Sequence, residues 1–262
     1  MTQEIAIYQV DAFSNAVFGG NPAAVCPLTD WLPDATLQAI AAENNLAETA
    51  YFLPEGADYR LRWFTPTTEV DLCGHATLAT AHVLKSFLAP DADEYRFHTR
   101  SGLLTVRCGD RGYVMDFPAI PATPAPEKLA ELAAALGAEP QEAFQAMDCM
   151  AVFAGEAEIQ ALAPDMAKIA AVDTRGIIAT APGDSVDFVS RFFAPQSGIP
   201  EDPVTGSAHS MLTPFWAARL GKDRLTARQI SPRGGDLTLE ARGERVTIAG
   251  QAVLYLQGKI RV

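Results

Sequence analysis

Two short segments of this chain combine a glycine with side chains that could transfer a proton or hold an anion. Cys73-Gly74-His75 follows Phe64-Thr65-Pro66, and Thr205-Gly206-Ser207 follows Phe193-Ala194-Pro195. In both segments the glycine opens an alanine-rich run with apolar residues at helical spacing, which predicts a helix that starts at that glycine. Half of the chain separates the two glycines, so we interpret the segments as a duplicated loop, one in each half of a duplicated fold.

The chemistry of such a pair follows from the physics of a helix start. A helix N-terminus presents unpaired N–H groups and about half a unit of positive charge, and it binds anions. Helix starts at Gly74 and Gly206 that faced one cleft would hold a carboxylate and stabilise an enolate-like charge. The alternative is that both glycines only allow tight turns before core helices.

Two carboxylates are candidates for moving a proton. Glu48 opens an otherwise apolar strand, where burial would raise its pKa toward neutrality, as an acid/base needs. A glutamate that faces solvent at a strand end is the alternative interpretation. Asp202 is the second candidate, and its alternative is a solvated loop, because Glu201 and Pro203 flank it.

A histidine and a cysteine stand at the first predicted helix start. The helix field disfavours the cationic form of His75, which predicts a neutral imidazole, with a purely structural histidine as the alternative. The same field would lower the pKa of Cys73. Ser207 and His209 lack the Gly-x-Ser-x-Gly segment of serine hydrolases, and His209 stays open as a site residue.

Composition limits the class of protein and its partners. A chain of 262 residues with 48% hydrophobic residues can build a folded core. The net charge of −12 and the lack of clustered Lys and Arg exclude nucleic acid and anionic membranes as expected partners. With no long apolar run and no signal peptide, we predict a cytoplasmic protein with a small substrate. Four scattered cysteines predict neither a metal site nor a disulfide framework.

The predicted elements give an α/β (α+β) fold of two similar halves, each a curled β-sheet around a central helix. The proline-rich segment 119–126 marks the boundary between residues 1–118 and 119–262, with the last strand able to cross back to the N-terminal half. Predicted helices cover residues 33–44, 76–88, 128–136, 141–146, 164–170 and 208–220, and a turn is predicted at 109–112. The lack of a GxGxxG segment argues against a dinucleotide fold.

Four blocks, in order along the chain, resemble the PhzF-like family of phenazine biosynthesis. They are Phe18-Gly19-Gly20-Asn21-Pro22-Ala23-Ala24-Val25, Asn45-Leu46-Ala47-Glu48-Thr49-Ala50-Tyr51-Phe52, Cys73-Gly74-His75-Ala76-Thr77 and Glu201-Asp202-Pro203-Val204-Thr205-Gly206-Ser207-Ala208-His209. The resemblance implies a fold similar to diaminopimelate epimerase, with the site in a cleft between two halves. It also implies a homodimer.

The resemblance further implies a cofactor-independent isomerase that moves a proton on a small carboxylate-bearing metabolite. Glu48 would be the acid/base, with His75 and Asp202 also catalytic, and no metal or other cofactor is expected. Thr205 stands where the two-cysteine epimerases have their second thiol. Two alternatives are an epimerase or racemase that depends on Cys73 and a non-catalytic small-molecule binding protein. The residues implied in substrate binding are Asn21, Cys73, Gly74, Thr205, Gly206 and Ser207.

Overall fold

The computed structural model describes residues 3–109 and 112–262, so the middle of the predicted turn at 109–112 lies outside the described residues. The strands are β1 Glu4–Ala12, β2 Asn21–Pro27, β3 Glu48–Glu55, β4 Asp58–Phe64, β5 Glu69–Val70, β6 Glu94–Thr99, β7 Gly102–Gly109, β8 Gly112–Pro118, β9 Thr123–Pro124, β10 Glu142–Gln145, β11 Cys149–Val152, β12 Ile177–Pro182, β13 Phe188–Ala194, β14 Ile199–Asp202, β15 Arg224–Gln229, β16 Gly235–Arg242, β17 Arg245–Gly250 and β18 Ala252–Arg261. The helices are α1 Asp34–Asn44, α2 Gly74–Val83, α3 Leu129–Leu136, α4 Glu156–Ala161, α5 Met166–Ala171 and α6 Gly206–Leu220.

The chain forms two compact units. Unit 1 consists of Met1–Asp116 together with Ala249–Val262, and unit 2 is Phe117–Ile248. The C-terminal strand β18 pairs antiparallel with β1 along nearly its whole length, from Glu4 opposite Arg261 to Ala12 opposite Ala252. Unit 1 is therefore built from two separate pieces of chain, and unit 2 from one.

The sheet of unit 1 surrounds helix α2. Its strands pair in the order β18-β1-β2-β3-β4-β6-β7-β8, with a parallel step between β2 and β3 and another between β4 and β6. Helix α2 packs against β1, β2 and β3 and is buried on almost every face, as a helix inside a curled sheet must be. A second layer of apolar side chains, including Leu37 and Ile40 of α1, packs with Tyr51 and Phe64 of the sheet.

Unit 2 repeats this plan around helix α6. Its strands pair in the order β9-β10-β11-β12-β13-β15-β16, and β14 pairs with one end of β13. Trp216 of α6 donates its indole N–H to Thr180 Oγ1 at 3.0 Å and stacks on Phe188 with an interplanar angle of 6°. These contacts hold a buried helix against the sheet, and the predicted fold class, a mixed α/β fold of two similar halves, is confirmed.

Local signals located several helix ends correctly. Helix α1 ends at Asn45 with φ 50°, and α3 ends at Gly137 with φ 74°. Both are left-handed conformations that asparagine and glycine adopt at low cost. The two glycine-started helices also begin as predicted, at Gly74 and Gly206.

Two predicted elements need correction, and one short helix was missed. Residues 141–146 were expected to be helical, but Glu142–Gln145 is strand β10, because ladder pairing with β11 and β9 satisfies its backbone. The predicted 76–88 helix is α-helical only to Val83 and continues as a π-helical turn, Leu84–Leu88. Helix α4 was not predicted. Within the described residues, no helix has the length and apolar character needed to cross a membrane.

Candidate active site

A buried carboxylate and a buried imidazole meet in unit 1. Glu48 is the first residue of β3, and His75 lies in the first turn of α2. Their exposed fractions are 8% and 5%, and Glu48 Oε2 lies 3.1 Å from His75 Nε2. Among the described residues neither of these two atoms has a hydrogen-bond partner of good geometry. Both atoms are buried, and each has the other as its nearest polar neighbour of opposite character.

The charge state of His75 differs from the expected neutral form. Burial disfavours the imidazolium and lowers its pKa, but the charges of Cys73 and Glu48 outweigh burial and hold the pKa of His75 well above its ordinary value. Glu48 Oε2 lies 3.1 Å from Nε2, and Cys73 Sγ lies 3.5 Å from Nδ1. The position of His75 at a helix start does not by itself predict its ion pair with Glu48. The amide of Asn21 lies 3.2 Å from Nδ1 on the other side of the ring.

Cys73 also departs from its expected behaviour. Its Sγ lies 3.5 Å from His75 Nδ1, at the residue that precedes α2. Burial, reinforced by the charge of Glu48, raises the pKa of Cys73 to about 11, whereas the helix start alone was expected to lower it. Loss of solvation outweighs the helix field for a fully buried thiol. Cys73 is thus a neutral thiol at physiological pH.

The same three side chains have the composition of a metal-binding group. One donor atom from each of Glu48, Cys73 and His75 lies within 4.8 Å of the others. Carboxylate, thiolate and imidazole are the ligands that Zn²⁺ prefers. Binding an ion here would require Cys73 to lose its proton and would occupy the lone pairs of Glu48, so metal binding and proton transfer are competing uses of the cluster.

The second predicted segment forms a polar cluster in unit 2. The Thr205 hydroxyl donates to a carboxylate oxygen of Asp202. The buried Gln229 accepts from the Thr205 N–H at 2.9 Å and donates to the Asp202 carbonyl at 2.7 Å. Thr205 precedes α6, but its hydroxyl caps no amide of that helix. The Cys73 side chain before α2 likewise makes no capping hydrogen bond.

Sequence reasoning missed two residues beside Ser207. Arg175 donates Nε and Nη2 to the two carboxylate oxygens of Asp148, at 2.9 and 2.6 Å, and Nη2 also donates to Ser207 Oγ at 3.0 Å. Burial raises the pKa of Asp148 and the Arg175 guanidinium opposes that rise. These residues are distant from each other in sequence and carry no local pattern, so only the tertiary structure reveals them.

His209 is a buried histidine in the first turn of α6, and among the described residues its Nε2 has no hydrogen-bond partner of good geometry. Its Nδ1 lies 2.8 Å from the Thr205 carbonyl and donates to it, and its ring packs against Phe188. Burial lowers its pKa to about 4, so the imidazole is neutral at physiological pH. This hydrogen bond spans one helical turn and holds His209 against Thr205 at the start of α6.

The structure groups the residues singled out from the sequence into two sets. Each set surrounds the start of one glycine-initiated helix and lies within one unit. The first set consists of Asn21, Glu48, Cys73, Gly74 and His75, and the second of Asp202, Thr205, Gly206 and Ser207.

Solved structures with the same fold include epimerases. A hydroxyproline epimerase from Agrobacterium vitis, with bound trans-4-hydroxy-L-proline, aligns with a TM-score of 0.63 at 12% identity, covering 99% of this chain and 93% of that one. At this identity the likeness concerns the fold alone. A phenazine biosynthesis protein of the PhzF family from Enterococcus faecalis aligns far more closely, with a TM-score of 0.97 and 48% identity over 99% of this chain and 100% of that one.

Sequence comparisons agree with the structural ones. The phenazine biosynthesis-like protein family, PhzC-PhzF, matches residues 10–258. An uncharacterized isomerase of Pseudomonas aeruginosa is 52% identical over 261 residues, which cover 99% of this chain and 100% of the relative. The chain belongs to the phenazine biosynthesis-like PhzC-PhzF family, and it is an enzyme of the isomerase class.

Proposed function

We propose that this enzyme moves a proton on a small carboxylate-bearing metabolite, without a cofactor, and that Glu48 is its acid/base. The observation that carries the proposal is the buried pair of Glu48 and His75, in which Oε2 and Nε2 lie 3.1 Å apart without other hydrogen bonds among the described residues. A buried carboxylate in reach of a ligand is the kind of group that general acid–base catalysis requires.

The charges of the pair suggest how the proton moves. Glu48 takes a proton from a substrate carbon and becomes neutral, while negative charge develops on the substrate. His75, whose pKa is raised, then remains as a cation beside that new charge. The negative charge has moved from Glu48 to the substrate without leaving the field of the imidazolium, which lowers the cost of forming an enolate-like intermediate. Glu48 returns the proton to another carbon.

The helix start supplies a second source of stabilisation. Helix α2 begins at Gly74, and the side chain of the preceding Cys73 makes no capping hydrogen bond to its first turn. Such N–H groups and the helix dipole favour a carboxylate. Each well-placed donor to a developing oxyanion can contribute about 2.7–4 kcal/mol to the transition state. These amides therefore support a carboxylate-bearing substrate, because their N–H groups stabilise the negative charge that a metal ion would otherwise stabilise.

A second candidate function is an epimerase or racemase that uses Cys73 as a base. The 3.5 Å distance from Cys73 Sγ to His75 Nδ1 favours it, because a cationic imidazole at this distance would stabilise the thiolate. The raised thiol pKa of about 11 argues against it. Only a small fraction of such a thiol is ionised near pH 7, so Glu48 is the better base.

Solvent deuterium incorporation tests the proposal. The protein is incubated in D₂O with a panel of small carboxylates, comprising L- and D-amino acids, hydroxy acids and unsaturated acids, and mass spectrometry detects any compound that gains one mass unit. We expect at least one to gain deuterium with the wild type. Glu48→Gln keeps the size and hydrogen bonding of the side chain, and it should slow exchange by at least about 10²-fold.

The matched control is Glu43→Gln, which changes an exposed acid on the neighbouring helix α1 and should exchange like the wild type. Equilibrium dialysis with the same panel of compounds tests the remaining alternative, a non-catalytic small-molecule binding protein. A compound that binds wild type and Glu48→Gln equally, and gains no deuterium with either, would identify a non-catalytic binding protein. Near-normal exchange by Glu48→Gln would remove Glu48 from the mechanism.

A further inference from the structure

The side chains of Asp148, Arg175 and Ser207 form a chain of hydrogen bonds that ends at the first turn of α6. Asp148 is fully buried, Arg175 is partly exposed and Ser207 is half-buried. Arg175 Nη2 donates both to Asp148 Oδ2 at 2.6 Å and to Ser207 Oγ at 3.0 Å. The ion pair therefore holds a guanidinium against the hydroxyl.

The guanidinium is fixed from a second direction. Its carbon lies 5.5 Å from the centroid of the Phe192 ring, within the range of a cation–π contact. The Phe192 ring in turn occupies the space above Gly176, where an added Cβ would come within 2.3 Å of the ring. A salt bridge to a buried carboxylate and an aromatic support both restrict Arg175. These two contacts restrain the guanidinium although the Arg175 side chain is 41% exposed.

The direction of the hydrogen bond from Arg175 to Ser207 determines whether the Ser207 hydroxyl can donate to a ligand. A serine hydroxyl has one proton to donate and two lone pairs. Arg175 has no acceptor, so Ser207 must use a lone pair toward it, and its own proton must point elsewhere. Within residues 3–109 and 112–262, Ser207 Oγ has no protein acceptor for that proton. Accepting from a cation also strengthens the hydroxyl as a donor, because neighbouring hydrogen bonds polarise each other.

We propose that Arg175, held by Asp148, is a positioning residue that makes Ser207 a hydrogen-bond donor to an anionic oxygen of the substrate. The oxygen belongs to a carboxylate or to the enolate-like intermediate. The inference rests on the proposed function for the identity of the substrate, but the electrostatic part of it concerns only unit 2. Arg175 acts through Ser207 and need not touch the substrate itself.

The first experiment needs no substrate. In Ser207→Cys, the new thiol occupies the position of the hydroxyl, and its pKa reports how well Arg175 stabilises negative charge there. The rate of alkylation by iodoacetamide is measured against pH, with peptide mass mapping to isolate position 207 from the native cysteines. We expect Arg175→Gln to raise this thiol pKa by about one unit, a tenfold change in the ionisation constant.

Two further variants guard against a misleading result. Arg228→Gln is the matched control, because Arg228 also pairs with an aspartate, Asp236, at 2.6 Å on an exposed strand. It should leave the thiol pKa unchanged. If Arg175→Gln is destabilised by the unpaired Asp148, the combined change Asp148→Asn with Arg175→Gln removes both charges and retains an amide pair. This combination should still raise the thiol pKa, but by less than Arg175→Gln alone, because the opposing charge of Asp148 is removed together with the cation.

A double-mutant cycle provides the second experiment, with the compound that gains deuterium as substrate. We expect Arg175→Gln to lower kcat/KM about tenfold when Ser207 is present and by less than about twofold in Ser207→Ala, because coupled residues are not additive. Equal losses in both backgrounds would overturn the proposal, and so would an unchanged thiol pKa. If no compound gains deuterium, the proposed function fails and the thiol pKa alone decides the inference.

Discussion

Glu48 Oε2 lies 3.1 Å from His75 Nε2, and both side chains are buried in unit 1. One comes from the start of a strand and the other from the first turn of a helix. A buried carboxylate beside a buried cation is costly to assemble, because both charges lose water. Among the described residues neither atom has another hydrogen-bond partner, which is what the proposed proton transfer by Glu48 requires.

Replacing Cys73 distinguishes the two candidate bases. Because burial raises the Cys73 pKa to about 11, its thiolate is scarce near pH 7, and we expect Cys73→Ala to keep deuterium exchange within about threefold of wild type. The matched control is Cys149→Ala, which removes a buried thiol from unit 2, whereas Cys73 lies in unit 1. A loss of 10²-fold or more in Cys73→Ala alone would favour the cysteine mechanism.

Asp202 is expected to contribute to binding as well as to rate. It accepts the Thr205 hydroxyl next to α6, and Asp202→Asn weakens that charged hydrogen bond. Hydrogen bonds to charged groups contribute about 1.5–3 kcal/mol, so kcat/KM should fall roughly 10- to 100-fold, with KM raised. Steady-state kinetics measures this change. Asp236→Asn, at an exposed site, should behave as wild type. A normal KM for Asp202→Asn would argue against a binding role.

Metal removal tests whether the cluster of Glu48, Cys73 and His75 works as an acid/base group or as a metal site. We expect dialysis against EDTA to leave deuterium exchange unchanged. Added Zn²⁺ should inhibit, because an ion at these donors occupies the lone pairs that Glu48 needs. Metal analysis of the protein accompanies the assay. Loss of exchange on EDTA treatment, with recovery on adding one metal ion, would show instead that the metal is required.

His209 should make stability depend on pH. Its folded pKa is about 4, below the 6.5 of an unperturbed histidine. Between these values the unfolded chain binds a proton that the folded chain does not, so stability falls as pH falls from about 6.5 toward 4. The expected loss is about 2 kcal/mol between pH 7 and pH 5.

Urea denaturation at the two pH values measures this loss for wild type and for His209→Gln. Glutamine can still donate to the Thr205 carbonyl but has no titratable ring. The difference between the two proteins isolates His209 from all other titrating groups. The same pH dependence in both proteins would mean that His209 does not cause it.

Sequence reasoning succeeded where the physical cause was local. A glycine followed by an alanine-rich run with apolar residues at helical spacing started α2 and α6 as predicted, and Asn45 ended α1. It failed at residues 142–145, whose local pattern is short and whose strand exists only because β11 and β9 pair with it. Tertiary pairing decides such segments.

The candidate site shows the same difference between features with a local cause and features that depend on tertiary contacts. Glu48 and His75 were both candidates from the sequence, but their pairing, and the resulting rise in the His75 pKa, depends on contacts between separate elements. Burial of Cys73 likewise reversed the expected direction of its pKa. Arg175 has no local signal, since its partners Asp148 and Ser207 come from distant parts of the chain.

The pairing of β18 with β1 has a consequence for folding during protein synthesis. Unit 1 needs residues 249–262, which the ribosome adds only after the whole of unit 2. Domains generally fold as units while the chain emerges. All residues of unit 2 are synthesised before residues 249–262. Until β18 has been made, one edge of β1 has no partner strand. Until translation passes β18, that edge is exposed to pairing with other chains, and a ribosome stalled before this point would release a chain prone to aggregation.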